Sequence, residues 1–146
     1  MTELAQQMIA ENKAKHARGE DARELDLGNC GLTELPDLSG MDWLETLIVS
    51  NEWWDMEKQE WIDSQNNGLG NNIAHPPAHP LPNGLRKVIF GGDVLTNWTV
   101  SNFDFLKKLK NLQSLYLGYN QINNGDFLKE LKSLQSLHLH NNLIVS

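Results

Sequence analysis

A stretch of this chain occurs twice, 22 positions apart. Residues 102–115, ending Leu106-Lys107-Lys108-Leu109-Lys110-Asn111-Leu112-Gln113-Ser114-Leu115, return at 124–137, ending Leu128-Lys129-Glu130-Leu131-Lys132-Ser133-Leu134-Gln135-Ser136-Leu137. A unit of that length cannot bury its own apolar face and does so by stacking on a neighbour, so the period implies a solenoid. Solenoids present long continuous surfaces, which directs the functional expectation towards binding rather than catalysis.

Within each unit the spacing is Leu-x-x-Leu-x-Leu-x-x-Asn/Cys-x-Leu. It is clearest at Leu112, Leu115, Leu117, Asn120 and Ile122, returns at Leu134, Leu137, Leu139, Asn142 and Ile144, and first occurs at Ala22, Leu25, Leu27, Cys30 and Leu32. Leu115 and Leu117 flank Tyr116, the alternation of a short strand with one buried face. Asn120 and Asn142 stand where the chain bends after the strand, a place for a buried amide to satisfy unpaired peptide groups. Cys30 fits the same slot as a small residue with a weak S–H donor. Asp126–Leu131 reads as a short helical turn with Asp126 as its N-cap. On these residues the chain, from about position 22 onward, resembles the leucine-rich repeat proteins. The resemblance implies an α/β solenoid: a right-handed leucine-rich-repeat horseshoe with a parallel concave β-sheet and an N-terminal capping helix.

The helix is expected within 1–21. Leu4, Ala5, Met8 and Ile9 share one face, Thr2 can cap the start and Gly19 can end it. Repeats are expected over 22–146, in about five units beginning at 22, 44, 85, 112 and 134. Two units break the period. Asn120 lies 14 residues before Leu134 and Cys30 lies 14 before Leu44, and the same count back from Leu85 reaches Asn71, with Ile73 after it. An insertion is therefore expected at 52–70. Counting back from Leu112 reaches Trp98 and Val100, which predicts a second insertion near 92–97. Both are expected to emerge side by side from one rim of the sheet.

At 146 residues the chain suits one domain with a continuous core. No apolar run of about 18 residues suggests a membrane span, and Met1–Gln7 lacks the basic-then-apolar pattern of a secretion signal. A single cysteine fits a reducing compartment, so a cytoplasmic location is expected, where the sequon Asn97-Trp98-Thr99 has no meaning. The chain ends soon after Ile144 and Val145, which raises association through an open C-terminal edge as one expectation and a longer protein as the other.

Catalysis finds little support. The net charge of −7, without clustering of bases and aromatics, argues against nucleic acid. Cys30 is expected to be buried, hence structural. His138 and His140 share a strand face but lack further metal ligands, as do His75 and His79. Asp63–Gly68 has the outline of a calcium loop but carries Gln65 and Ala74 where acids are needed. No catalytic residue, cofactor or metal is assigned.

The binding surface is expected on the concave face. Parallel stacking would line up Asp26, Ile48, Ile89, Tyr116 and His138, with Lys87 in the ladder beside them, exposing Ile48, Ile89 and Tyr116 as an apolar strip. The insertion at 52–70 adds Trp53, Trp54 and Trp61, together with five carboxylates against Lys58 alone, a net −4. Tryptophan serves both interfaces and internal packing; the acidity favours a partner with basic groups. The helix Glu3–Lys13, the run Leu25–Pro36 and the run Leu44–Trp54 also resemble the N-terminal repeats of bacterial Roco-type proteins, whose repeats precede a GTPase. The expectation is a non-catalytic protein-binding module. The alternatives are the recognition segment of a larger enzyme, such as a Roco-type GTPase or bacterial effector ligase, and self-association through the C-terminal edge.

Overall fold

The computed structural model describes residues 2–91, 94, 95, 100–118 and 126–138. Helix α1 (Glu3–Ala17) leads into β1 (Glu24–Asp26) and β2 (Thr46–Ile48). Then come β3 (Glu52–Asp55), β4 (Glu60–Asp63), β5 (Lys87–Ile89), β6 (Ser114–Tyr116) and β7 (Ser136–His138). Short 3-10 helices at Val100–Lys108 and Asp126–Glu130 precede the last two strands.

Strands β1, β2, β5, β6 and β7 form one parallel sheet in that order, while β3 and β4 form a separate antiparallel hairpin. The parallel register sets Leu25, Leu47, Val88, Leu115 and Leu137 side by side. The next inward row, Leu27, Val49, Phe90 and Leu117, is fully buried. Each side chain so covered contributes on the order of 2 kcal/mol through removal of apolar surface from water. Phe103, Leu106 and Leu109 close the same core from the 3-10 side. The result is a leucine-rich-repeat solenoid with its strands on the concave side.

Helix α1 covers the outer edge of β1. Thr2 Oγ1 accepts from the Ala5 N–H at 3.2 Å and donates to the Cys30 carbonyl at 2.6 Å, so the cap also ties the helix to the first repeat. Ala5 and Ile9 are buried against the core. Asn12 falls on the same face and does a different job. Its amide donates to the Ala22 and Glu24 carbonyls at 3.0 and 3.1 Å, and its Oδ1 accepts from Trp43 Nε1 at 2.8 Å. The exposed backbone of an edge strand is thereby given a partner inside the chain. His16 stacks on Trp43 with ring centroids 3.8 Å apart.

The turn after β2 is organised by Asn71. Its Nδ2 donates to the Leu27 and Val49 carbonyls, both at 2.8 Å. Its Oδ1 accepts from the Leu32 and Cys30 N–H groups at 2.8 and 3.3 Å. One buried side chain thus satisfies four backbone groups from two units.

Of the insertion expected near 92–97 the described residues include Val94 and Leu95 alone. Ile73 and Leu95 form a parallel bridge, with Ile73 N–H donating to the Val94 carbonyl at 2.7 Å. Leu95 therefore holds the apolar slot, completing Leu85, Val88 and Phe90 at the regular spacing. Trp98, Asn120, Ile122, the side chain of Asp126, Leu139, His140, Asn142 and the stretch Ile144–Ser146 lie outside the described residues.

Candidate functional site

The insertion after β2 is a hairpin turned back over the sheet. Its pairs are Glu52 with Asp63, Trp53 with Ile62, Trp54 with Trp61 and Asp55 with Glu60. Directly opposed residues share a face and successive pairs alternate. Trp53 and Ile62 therefore face one way, with Asp55 and Glu60; Trp54 and Trp61 face the other, with Glu52 and Asp63.

The inward face settles on the concave ladder. Ile48, Ile89 and Tyr116 form an apolar cluster and Trp53 packs against it, leaving the three at 4%, 1% and 7% exposure. The exposed apolar strip expected from the sequence is thus a covered one. The physical reason is that three stacked units present more apolar area than a solvated sheet leaves bare, and the hairpin carries an indole to cover it. Burial pushes the Tyr116 phenol above its ordinary value, helped by the nearby charges of Asp55 and Glu57. Beside this cluster the Lys87 Nζ lies 5.2 Å from the Tyr116 ring centre. His138 packs on the same ring at 4.0 Å, with its Nε2 2.9 Å from Ser136 Oγ. The structure therefore brings Ile48, Ile89, Tyr116, His138, Lys87 and Trp53 together.

The outward face holds the other two tryptophans. Trp54 and Trp61 meet edge to face, with centroids 5.8 Å apart at 75°. Trp61 is 45% exposed, and Met56 in the adjoining loop matches it at 45%.

The return of the hairpin is anchored to the first repeat. Asp26 Oδ1 accepts from Ser64 Oγ at 2.7 Å and from the Gly28 N–H at 2.9 Å; its Oδ2 accepts from the Gln65 N–H at 2.9 Å. Asn66 then donates through Nδ2 to the Asp26 and Gly28 carbonyls at 2.9 and 3.0 Å. Gly28 is required here, because a Cβ would collide with the Ser50 carbonyl and the Ser64 side chain. Sequence reasoning placed Asp26 only in the outward ladder and met Asn66 only within Asp63–Gly68. The available signal was the polar density of Ser64–Asn67 beside a repeat whose asparagine slot holds Cys30.

Cys30 is buried, and loss of solvent, followed by the Asp26 charge, pushes its thiol up to about 11. Among the described residues no group of three or more His, Cys, Asp or Glu side chains is placed to hold a metal ion. Among them, too, no helix is long and apolar enough to cross a membrane.

Residues 110–146 match the family model described as leucine rich repeats in two copies. No curated protein matches the chain. Among solved structures, the chain is similar to internalin C2 from Listeria monocytogenes, at 21% identity and a TM-score of 0.49. That similarity covers 94% of this chain, which spans 66% of the internalin's length. Neither match is to a Roco-type protein. The class of the fold follows from the strand register itself and from the repeat match at its C-terminal end, and leucine-rich-repeat solenoids are generally protein-interaction modules.

Proposed function

We propose that this chain is a non-catalytic protein-binding module of a reducing, cytoplasmic setting. Its contact surface is the concave sheet as roofed by the β3–β4 hairpin. Trp54 and Trp61 on the outer face of the hairpin, with the half-buried Lys87 and His138 beside Tyr116, are the contact residues. Ile48, Ile89, Tyr116 and Trp53 hold the hairpin in place. The observation carrying this reading is the 45% exposure of Trp61, a costly residue to leave in water, in an aromatic pair turned away from the core. Within a larger Roco-type GTPase or effector ligase the same surface would select the partner while the chemistry resides elsewhere.

Affinity capture from the source-cell lysate tests this, comparing the intact chain with a Trp54→Ser/Trp61→Ser variant whose fold is checked by circular dichroism. A protein held by the first and lost by the second supports the reading; equal capture by both removes the hairpin from it. A second reading, self-association through β7, is favoured by one observation, the 39% exposure of Leu137 where Leu115 is fully buried. Light scattering at high micromolar concentration separates it, since a monomer there would eliminate self-association.

A further inference from the structure

The outer face of the hairpin combines two features that are unfavourable when left alone. Trp61 is exposed and meets the half-buried Trp54 edge to face, and on the same face Glu52 and Asp63 stand directly opposite each other. Like charges so placed weaken a two-stranded sheet, which is marginal by itself. The other face repeats the pattern with Asp55 opposite Glu60. Among the described residues no cation lies within ion-pair distance of any of these four carboxylates. Lys58 is the only base in 52–63.

We propose that the Glu52–Trp54–Trp61–Asp63 face is a docking site for an arginine- or lysine-bearing segment of a partner protein. A guanidinium or ammonium group over the indoles gains cation–π attraction. The same charge relieves the repulsion between Glu52 and Asp63, and its apolar stem covers the exposed ring. A second copy of this chain is the wrong occupant. The hairpin carries a net −4 and the chain −7, so two such faces repel. This inference rests on the hairpin being a contact surface.

The test is calorimetric titration of the full chain with a synthetic eight-residue peptide alternating arginine and serine, beside the same peptide with glutamate for arginine. The arginine peptide is expected to bind, and more weakly as salt rises. Trp61→Ser and Glu52→Gln/Asp63→Asn are each expected to weaken it by about tenfold or more. Glu11→Gln/Glu34→Gln, which removes two exposed charges elsewhere, is expected to leave it within about twofold; near-ultraviolet circular dichroism of all variants reports on the tryptophan packing. The proposal is overturned by no binding at low salt, by equal binding of the glutamate peptide, by equal loss in the Glu11/Glu34 variant, or by unchanged binding in both hairpin variants. A protein captured through Trp54 and Trp61 alongside a silent arginine peptide would leave the contact surface standing and remove its cationic partner.

Discussion

Asp26 and Ser64 lie 38 residues apart and are joined by a 2.7 Å hydrogen bond that fastens the end of the hairpin to the first strand. The same carboxylate takes the Gln65 and Gly28 N–H groups, both at 2.9 Å. Hydrogen bonds to a charged acceptor are the stronger kind.

Asp26→Ala is therefore expected to destabilise the chain by roughly 2 kcal/mol, through loss of a charged acceptor from a half-buried site. Exchange of the Gln65 amide hydrogen should accelerate more than that of Leu47 in β2. Uniform acceleration at both would show that Asp26 supports the whole solenoid and not the hairpin in particular.

Trp53→Ala uncovers the Ile48–Ile89–Tyr116 cluster. A stability loss of roughly 2 kcal/mol is expected, below the range for a fully buried indole because Trp53 is half-buried. In a Tyr119→Phe background the absorbance titration of Tyr116 should move down towards the ordinary 10. The sign follows from linkage: the folded phenol keeps its proton to higher pH than the unfolded one. Its contribution is intact below about pH 10 and is lost as pH rises through the folded value. That alkaline decline should be shallower in the variant, and an unmoved Tyr116 titration would contradict the covering role of Trp53.

Asn71 serves four backbone groups from one buried side chain. Asn71→Ala strands two carbonyls and two N–H groups in the core, an expected loss of roughly 4 kcal/mol, a large part of the stability of a small domain. Asn71→Asp should do little better, since it keeps the acceptor for Leu32 and Cys30 but turns an oxygen towards the Leu27 and Val49 carbonyls. Urea unfolding measures both, and a loss below about 1 kcal/mol in either would refute the four-bond account.

Cys30 should resist alkylation. A thiol held near 11 instead of 9.0 presents about a hundredfold less thiolate at pH 8, and burial slows access further. Iodoacetamide should label it only after denaturation; rapid labelling of the folded chain would mean that the first turn opens readily.

The leucines made the sheet legible, because one strand's alternation and the 22-residue period are local properties that the parallel register merely multiplies. Asn71 could be found by the same counting. Leu95 could not, since counting backwards from Leu112 reaches Val100, and only its bridge to Ile73 marks Leu95 out. The cover over Ile48, Ile89 and Tyr116 was also hidden. Alternation states which residues share a hairpin face, as with Trp53 and Ile62, but not where the hairpin leans as a body. Asn12 did leave a trace, standing on the Ala5–Ile9 face as the one polar residue among the three that the helix buries. Its role needed the edge of β1 to be seen beside it.

The hairpin is encoded wholly within the second unit, yet its indole rests on side chains from the second, third and fourth. Repeat arrays ordinarily change by gaining or losing single units, because each unit touches only its neighbours. Removing or duplicating the unit that holds Ile89 would take away Trp53's seat or shift it by one strand. Three modules that could otherwise be exchanged one at a time are thereby bound into a single heritable block, and length variation in relatives of this chain should fall outside it.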